Sequence, residues 1–229
     1  MKKAIVLCSG GIDSVTMAYY VKINLKYSRI KILFFDYGQR SLKKEEILSR
    51  RCSDNLNADF IKIKLKWLGN ISGSLINKYE KLKKYRCLSN TKKEGGKFYV
   101  PCRNTIFLTY ALALAESEYI KNKSINDIFI GFKCEGKESY PDTTKGFVKE
   151  INKISKISCN YPFIINAPLI NKDKEDIIIL GNKLGVYYKD TYSCYVSDKR
   201  HCGICLACRL RKAGFYWSGI KDPTKYNEE

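Results

Sequence analysis

Ser9-Gly10-Gly11-Ile12-Asp13-Ser14 follows directly on the apolar run Ala4-Ile5-Val6-Leu7-Cys8, and this junction decides the fold. A short β-branched run bounded by glycine reads as a buried strand, while Val15, Ala18, Tyr19 and Ile23 beyond it recur with a helical period. Two glycines and two hydroxyls thus stand where a parallel-sheet protein turns from strand into helix. Glycine lets a ligand approach the backbone closely, and the first turn of a helix leaves N–H groups unpaired at the positive end of its dipole. The junction is suited to seat a phosphate or pyrophosphate. The plainer reading is that the glycines only pack the helix against the sheet. Neither G-x-x-x-x-G-K-[ST] nor G-x-G-x-x-G is present, so the two common nucleotide loops are excluded.

Outward from the junction the pattern repeats. A second apolar run at 31–35 ends in Asp36-Tyr37-Gly38-Gln39-Arg40, a helix with charged outer positions is predicted over 41–55, and a third strand over 60–63. The βαβαβ order predicts an α/β, doubly wound parallel sheet with ligands beyond the carboxyl ends of its strands. Asp36 is predicted at such an end, where a carboxylate can bond ribose hydroxyls or a metal. Residues 67–98 are polar and irregular, and read as an insertion or lid. Tyr99-Val100-Pro101-Cys102-Arg103-Asn104 leads into an apolar helix over 105–118, and a strand is predicted over 128–131. Tyr140-Pro141-Asp142 precedes a helix over 147–156, and Asp173 with Asp176 forms a capping-box pair for a later one. The expected organisation is one α/β domain over 1–190 with a cysteine-bearing segment, 191–229, packed on it.

The 229 residues suffice for one well-buried domain. After Met1-Lys2-Lys3 the apolar run lasts five residues, too short for a signal peptide or a membrane span, so a cytoplasmic location without membrane contact is expected. The formal net charge is +19. The excess is mostly lysine spread along the chain, a pattern that compositional bias produces as readily as an anion-attracting surface. Nucleic acid is not expected as a partner. Of the ten cysteines, Cys8, Cys52, Cys87, Cys102, Cys134 and Cys159 are scattered and read as small core residues. The other four, Cys194, Cys202, Cys205 and Cys208, are spaced C-x7-C-x2-C-x2-C, and four thiolates so close can surround one tetrahedral zinc ion. The same spacing also resembles iron–sulfur ligation. His201 adjoins the set and reads as a bystander, since four cysteines complete a shell.

The Ser9–Ser14 loop resembles the SGGxDS loop of the PP-loop pyrophosphatases, which split ATP between its α and β phosphates. With Phe35-Asp36-Tyr37-Gly38-Gln39-Arg40, Val100-Pro101, Arg103-Asn104, Tyr140-Pro141-Asp142, Pro168-Leu169, Ser193-Cys194-Tyr195 and Leu210-Arg211-Lys212-Ala213-Gly214-Phe215, the chain resembles the 7-cyano-7-deazaguanine synthase (QueC) family over nearly its whole length. The resemblance implies adenylation of the carboxylate of 7-carboxy-7-deazaguanine by ATP with magnesium. Ammonia then displaces AMP to give an amide, and a second ATP activates the amide for dehydration to the nitrile.

The resemblance also implies a homodimer and structural zinc on the four cysteines. In the site it implies that Cys8, Ser9, Gly10, Gly11, Ile12, Asp13, Ser14, Asp36, Gly38, Gln39, Arg40 and Asn104 hold the nucleotide. Asp13, Ser14 and Arg103 would act in catalysis, Asp13 holding the loop or magnesium. Tyr140, Pro141 and Asp142 would hold the base, with Asp142 accepting its adjacent N–H donors. Three places depart from the family pattern: Thr143-Thr144 replaces Cys-Arg, Gly136 replaces an acidic residue with Glu135 and Glu138 as stand-ins, and Cys102 replaces Gly or Ala. These departures suit a rival acceptor, a protein amine conjugated to the activated deazaguanine. A tRNA-modifying PP-loop enzyme and a catalytically inactive nucleotide-binding scaffold are further alternatives.

Overall fold

The computed structural model describes residues 2–80, 88, 91–133 and 140–227. Cys87, Cys134, Glu135, Gly136 and Glu138 lie outside them, and so do parts of the 67–98 stretch.

The first apolar run forms β1 (Lys3–Leu7), and Ile12–Tyr19 forms α1, which runs on into one wide helical turn over Tyr20–Asn24. Then follow β2 (Arg29–Asp36), α2 (Leu42–Asn55) and β3 (Asp59–Lys64), in the expected βαβαβ order. Two short helices, α3 (Lys66–Ile71) and α4 (Thr91–Gly96), precede α5 (Arg103–Asn122), β4 (Asp127–Ile130), α6 (Lys145–Ser158), β5 (Ile165–Asn166), α7 (Lys174–Lys183) and α8 (Leu206–Ser218). The strands make one all-parallel sheet in the order β3-β2-β1-β4-β5. This is the predicted doubly wound α/β fold. Strand order reverses about β1, and the crevice opened there is the standard ligand position of such sheets.

β1 shows why its sequence is apolar without alternation. Ile5 and Leu7 pack into the core on one face with α5, and Ala4, Val6 and Cys8 into the core on the other face with α1 and α7. A strand covered on both sides has no polar face to advertise. Within 67–98, Leu75, Ile76 and Phe98 are buried in the α5-side core, so part of this stretch is integral to the packing.

The C-terminal segment docks on α7 through α8. Gly214 allows this approach, because a Cβ there would overlap Lys174 Cγ. The Arg211 side chain, 1% exposed, ties the segment down. It donates to Thr191 Oγ1 at 2.9 Å and the Tyr188 carbonyl at 3.1 Å, and pairs with Asp222 at 3.2 Å.

Candidate active site

The Ser9–Ser14 loop is held open at the carboxyl end of β1. Gly10 has φ +78°, and a Cβ on it would lie 2.9 Å from the Glu45 carbonyl, so only glycine fits between the loop and α2. Gly11 is the N-cap of α1 and no side chain caps the helix, which leaves its first N–H groups facing the crevice. Ser14 Oγ accepts from Ser9 N–H at 3.1 Å and donates to the Gly11 carbonyl at 3.1 Å, bracing the turn from inside. Gly131, just past β4, comes so close that a Cβ would lie 3.0 Å from the Asp13 carbonyl.

Asp13 is paired. Lys174, the first residue of α7, donates to both carboxylate oxygens at 2.6 and 2.7 Å. Sequence reasoning passed over this lysine because it stood inside a capping motif. Its signal was there, directly after the Asp173 cap and at the end of the helix that faces α1.

The loop opens into a cavity of about 280 Å³. Of the residues singled out from the sequence, Cys8, Ser9, Gly11, Ile12, Asp13, Ser14, Gln39, Arg103, Asn104 and Tyr140 line it. Gln39 is locked in the wall. It donates to the Phe35 carbonyl at 2.9 Å and to Glu45 at 3.0 Å, and accepts from Tyr37 N–H at 3.0 Å. Its partner Glu45 also accepts from Ser41 Oγ at 2.5 Å, and burial pushes the carboxyl above the usual range. Glu45 and Lys174 are thus wall residues that the sequence reading missed. Glu45 sat in a helix read as having charged outer positions. Burial also pushes the Tyr37 hydroxyl up to about 12, against the Arg103 guanidinium beside it, which works in the other direction.

Six expected residues are not brought to this wall, the first of them Gly10, which lies against α2. Asp36 does end β2, but its carboxylate turns back to accept Gly38 N–H at 3.3 Å, with Lys62 at 3.9 Å, as a short Asx turn does. Gly38 supplies the positive φ, +76°, that the turn requires. Arg40 lies over the Tyr79 ring at 4.8 Å. Pro141 begins a short 3₁₀ turn, Pro141–Thr143. Asp142 accepts Asn104 N–H at 3.2 Å at the start of α5 and faces a separate, smaller cavity.

The four cysteines of the C-terminal segment come together, their sulfurs all within 4.8 Å of one another. Tetrahedral bonds of about 2.3 Å to one ion place thiolates about 3.8 Å apart, and Cys202 Sγ lies 4.0 Å from Cys208 Sγ. The set fits a single ion; a cube of irons would spread its thiolates over separate metals. Hydrogen bonding from Cys194 lowers the Cys202 thiol, whereas Cys208 is pushed up by the same neighbour. His201 stands outside the set, its Nε2 accepting Ser193 N–H at 3.0 Å.

The sequence model of the family described as Queuosine biosynthesis protein QueC matches residues 3–219. The chain belongs to the QueC family. A 7-cyano-7-deazaguanine synthase of Thermoplasma volcanium is 39% identical over 233 residues, covering 99% of this QueC chain and 92% of its own length. One from Methanothermobacter thermautotrophicus is 31% identical over 229 residues, covering 99% and 100%. Among solved structures, a 4-thiouridine synthetase–RNA complex with bound ATP shares 15% identity over 95% of this chain and 50% of its own, at TM-score 0.48. The U34-tRNA thiolase NcsA of Methanococcus maripaludis, with its [4Fe-4S] cluster, shares 16% over 100% and 76%, at TM-score 0.46. Likenesses this loose carry nothing about the site.

Proposed function

We propose that this QueC chain adenylates the carboxylate of 7-carboxy-7-deazaguanine with ATP, exchanges AMP for ammonia, and dehydrates the amide to 7-cyano-7-deazaguanine. The reading is carried by the uncapped start of α1, braced by Ser9 and Ser14, opening at the sheet's reversal into a cavity with cationic and carboxylate walls. Ser9, Gly10, Gly11, Ile12 and Ser14 cradle the leaving pyrophosphate through N–H and hydroxyl donors, which cost no reorganisation as charge develops. Asp13 and Lys174 act as a unit, the lysine holding the carboxylate until magnesium accompanies the nucleotide. Cys8, Gln39 and Asn104 shape the nucleotide pocket, with Asp36, Gly38 and Arg40 supporting its rim from behind. Arg103 stabilises charge on phosphate or carboxylate.

Glu45 replaces Asp142 as the reader of the base's adjacent N–H donors, because the large cavity's other wall carboxylate, Asp13, is engaged at both oxygens by Lys174. Tyr140, over Pro141, offers a ring for stacking. Zinc on Cys194, Cys202, Cys205 and Cys208 supplies cross-linking and no chemistry of the reaction. The working division is an α/β domain over 1–190, with 67–98 as its insertion, and a zinc segment over 191–229. A cytoplasmic homodimer completes the reading.

One observation favours a second acceptor, a protein amine. Thr143 and Thr144 stand where the family pattern has Cys-Arg, Thr143 in the cavity wall and Thr144 spent as the N-cap of α6, accepting Phe147 N–H at 3.1 Å. Incubation with ATP, 7-carboxy-7-deazaguanine and ammonium, followed by mass spectrometry, separates the cases. Nitrile with AMP and pyrophosphate supports the synthase; amide without nitrile favours conjugation. No AMP with the full substrate set removes both.

A further inference from the structure

Beside the large cavity lies a second chamber of about 20 Å³. The two share Arg103, Tyr140, Tyr195 and Ile76 as wall residues, so the chamber adjoins the large cavity at Arg103. A cavity needs roughly 10–15 Å³ to hold one water-sized molecule. This one therefore takes a single molecule the size of water or ammonia and nothing larger.

Its chemistry is specific. Asp142 is 6% exposed, and only its Oδ2 is engaged, by Asn104 N–H; Oδ1 makes no hydrogen bond among the described residues. That oxygen is left to accept from a small guest carrying N–H groups. The remaining walls are rings and one aliphatic side chain. Tyr99 stacks near Tyr140 at 5.6 Å, Phe98 lies 5.0 Å from Tyr195, and Val100 closes the space. Arg103 in the shared wall offsets the Asp142 charge, so the chamber does not hold out for ammonium and admits neutral ammonia with its lone pair available.

We propose that this chamber is the ammonia site of the reaction, with Asp142 holding the nucleophile. The proposal rests on the function given above and adds the place from which nitrogen arrives. The lone pair of ammonia attacks the activated carboxyl carbon and forms the C–N bond. The bond from that carbon to the AMP oxygen breaks, its electron pair leaving with AMP, and the proton shed by nitrogen passes to the Asp142 carboxylate. The chamber's size selects ammonia against any substituted amine, and so argues for nitrile synthesis over conjugation.

Two readouts on the full chain test this. Exchange of labelled pyrophosphate into ATP, driven by 7-carboxy-7-deazaguanine, reports activation without any amine, and mass spectrometry of the amide reports amination. Amide formation should saturate in ammonium chloride, with methylammonium used about tenfold less efficiently or worse. Val100→Ala, which widens the chamber, should bring the two amines within about threefold. Asp142→Asn should raise the half-saturating ammonium concentration about tenfold while that for ATP moves less than about twofold. Amide formation that stays linear in ammonium, or equal use of methylammonium by the unaltered chain, overturns the chamber while leaving activation intact. Should the Val100 variant fail to fold, as lost exchange would reveal, the unaltered chain's choice between the two amines decides alone. Absent exchange in the unaltered chain overturns the function and the chamber with it.

Discussion

Lys174 holds Asp13 by both oxygens, and the two side chains are only 17% and 25% exposed, so solvent screens the pair less than it would a surface bridge. The anion loop therefore carries no net charge of its own from Asp13. Removing either partner exposes the nucleotide site to an unbalanced charge. Asp13→Ala should keep the fold and metal content while lowering AMP formation at least about a hundredfold, and Lys174→Ala should match it. Because the two act together, the double variant should be little worse than either single one; AMP chromatography on all three, with circular dichroism for the fold, checks this. Additive losses would separate the two residues. Cys102 is the converse case, a residue legible as odd before its reason was visible. It stands at φ +51° ahead of α5, in the left-handed region where a side chain costs about 1–2 kcal/mol. Glycine there recovers part of that cost against its own chain entropy, so Cys102→Gly should stabilise by about 0.5–1 kcal/mol and raise Tm by about 1–4 °C.

Elements differ in how plainly they announce themselves. β1, the loop and α1 were legible because a dry apolar run, two glycines and a helical period meet within a few residues. The α7 cap was legible for a similar reason, and Asp176 does accept Asp173 N–H, at 3.3 Å. By contrast β5 is two residues long, Ile165–Asn166, and shows no period at all. α8 hides because its buried stripe is Leu206, Cys208, Arg211, Gly214 and Phe215, with an arginine and a glycine where apolar residues announce a helix. Arg211 can sit there only because Thr191, Tyr188 and Asp222 receive its donors. The site was legible as a loop and a set of cysteines, but not as walls: Glu45 and Lys174 reach it from helices whose local pattern marks them as ordinary surface charge. Gly214 couples two of these elements. Gly214→Ala should force α8 off the stem of Lys174, at about 1–3 kcal/mol, and lower AMP formation together with Tm. A loss of Tm with full AMP formation would show that α8 supports the fold without aligning Lys174.

In the whole molecule, the cysteine segment and the anion loop are one structure. Tyr192 N–H donates to the Gly10 carbonyl at 2.8 Å, and Tyr192, Ser193 and Tyr195 line the large cavity beside Cys194. Metal removal should therefore be felt at the nucleotide. Purified protein should be colourless with about one zinc per chain, and chelation or Cys205→Ser should lower both Tm and the affinity for a non-hydrolysable ATP analogue. Unchanged affinity in metal-free protein would uncouple the two; a brown protein containing iron would replace the metal. The bond from Tyr192 to Gly10 has a further consequence, which concerns time. The loop is synthesised long before Tyr192, and a contact between residues so far apart in sequence carries a high loop-closure cost. A nascent chain on the ribosome can assemble β1, β2 and β3 with their helices, but the phosphate cradle gains this backbone partner only once Tyr192 has been made and has docked. The braced form of the cradle thus follows the synthesis of the Tyr192 stretch, not that of the loop itself.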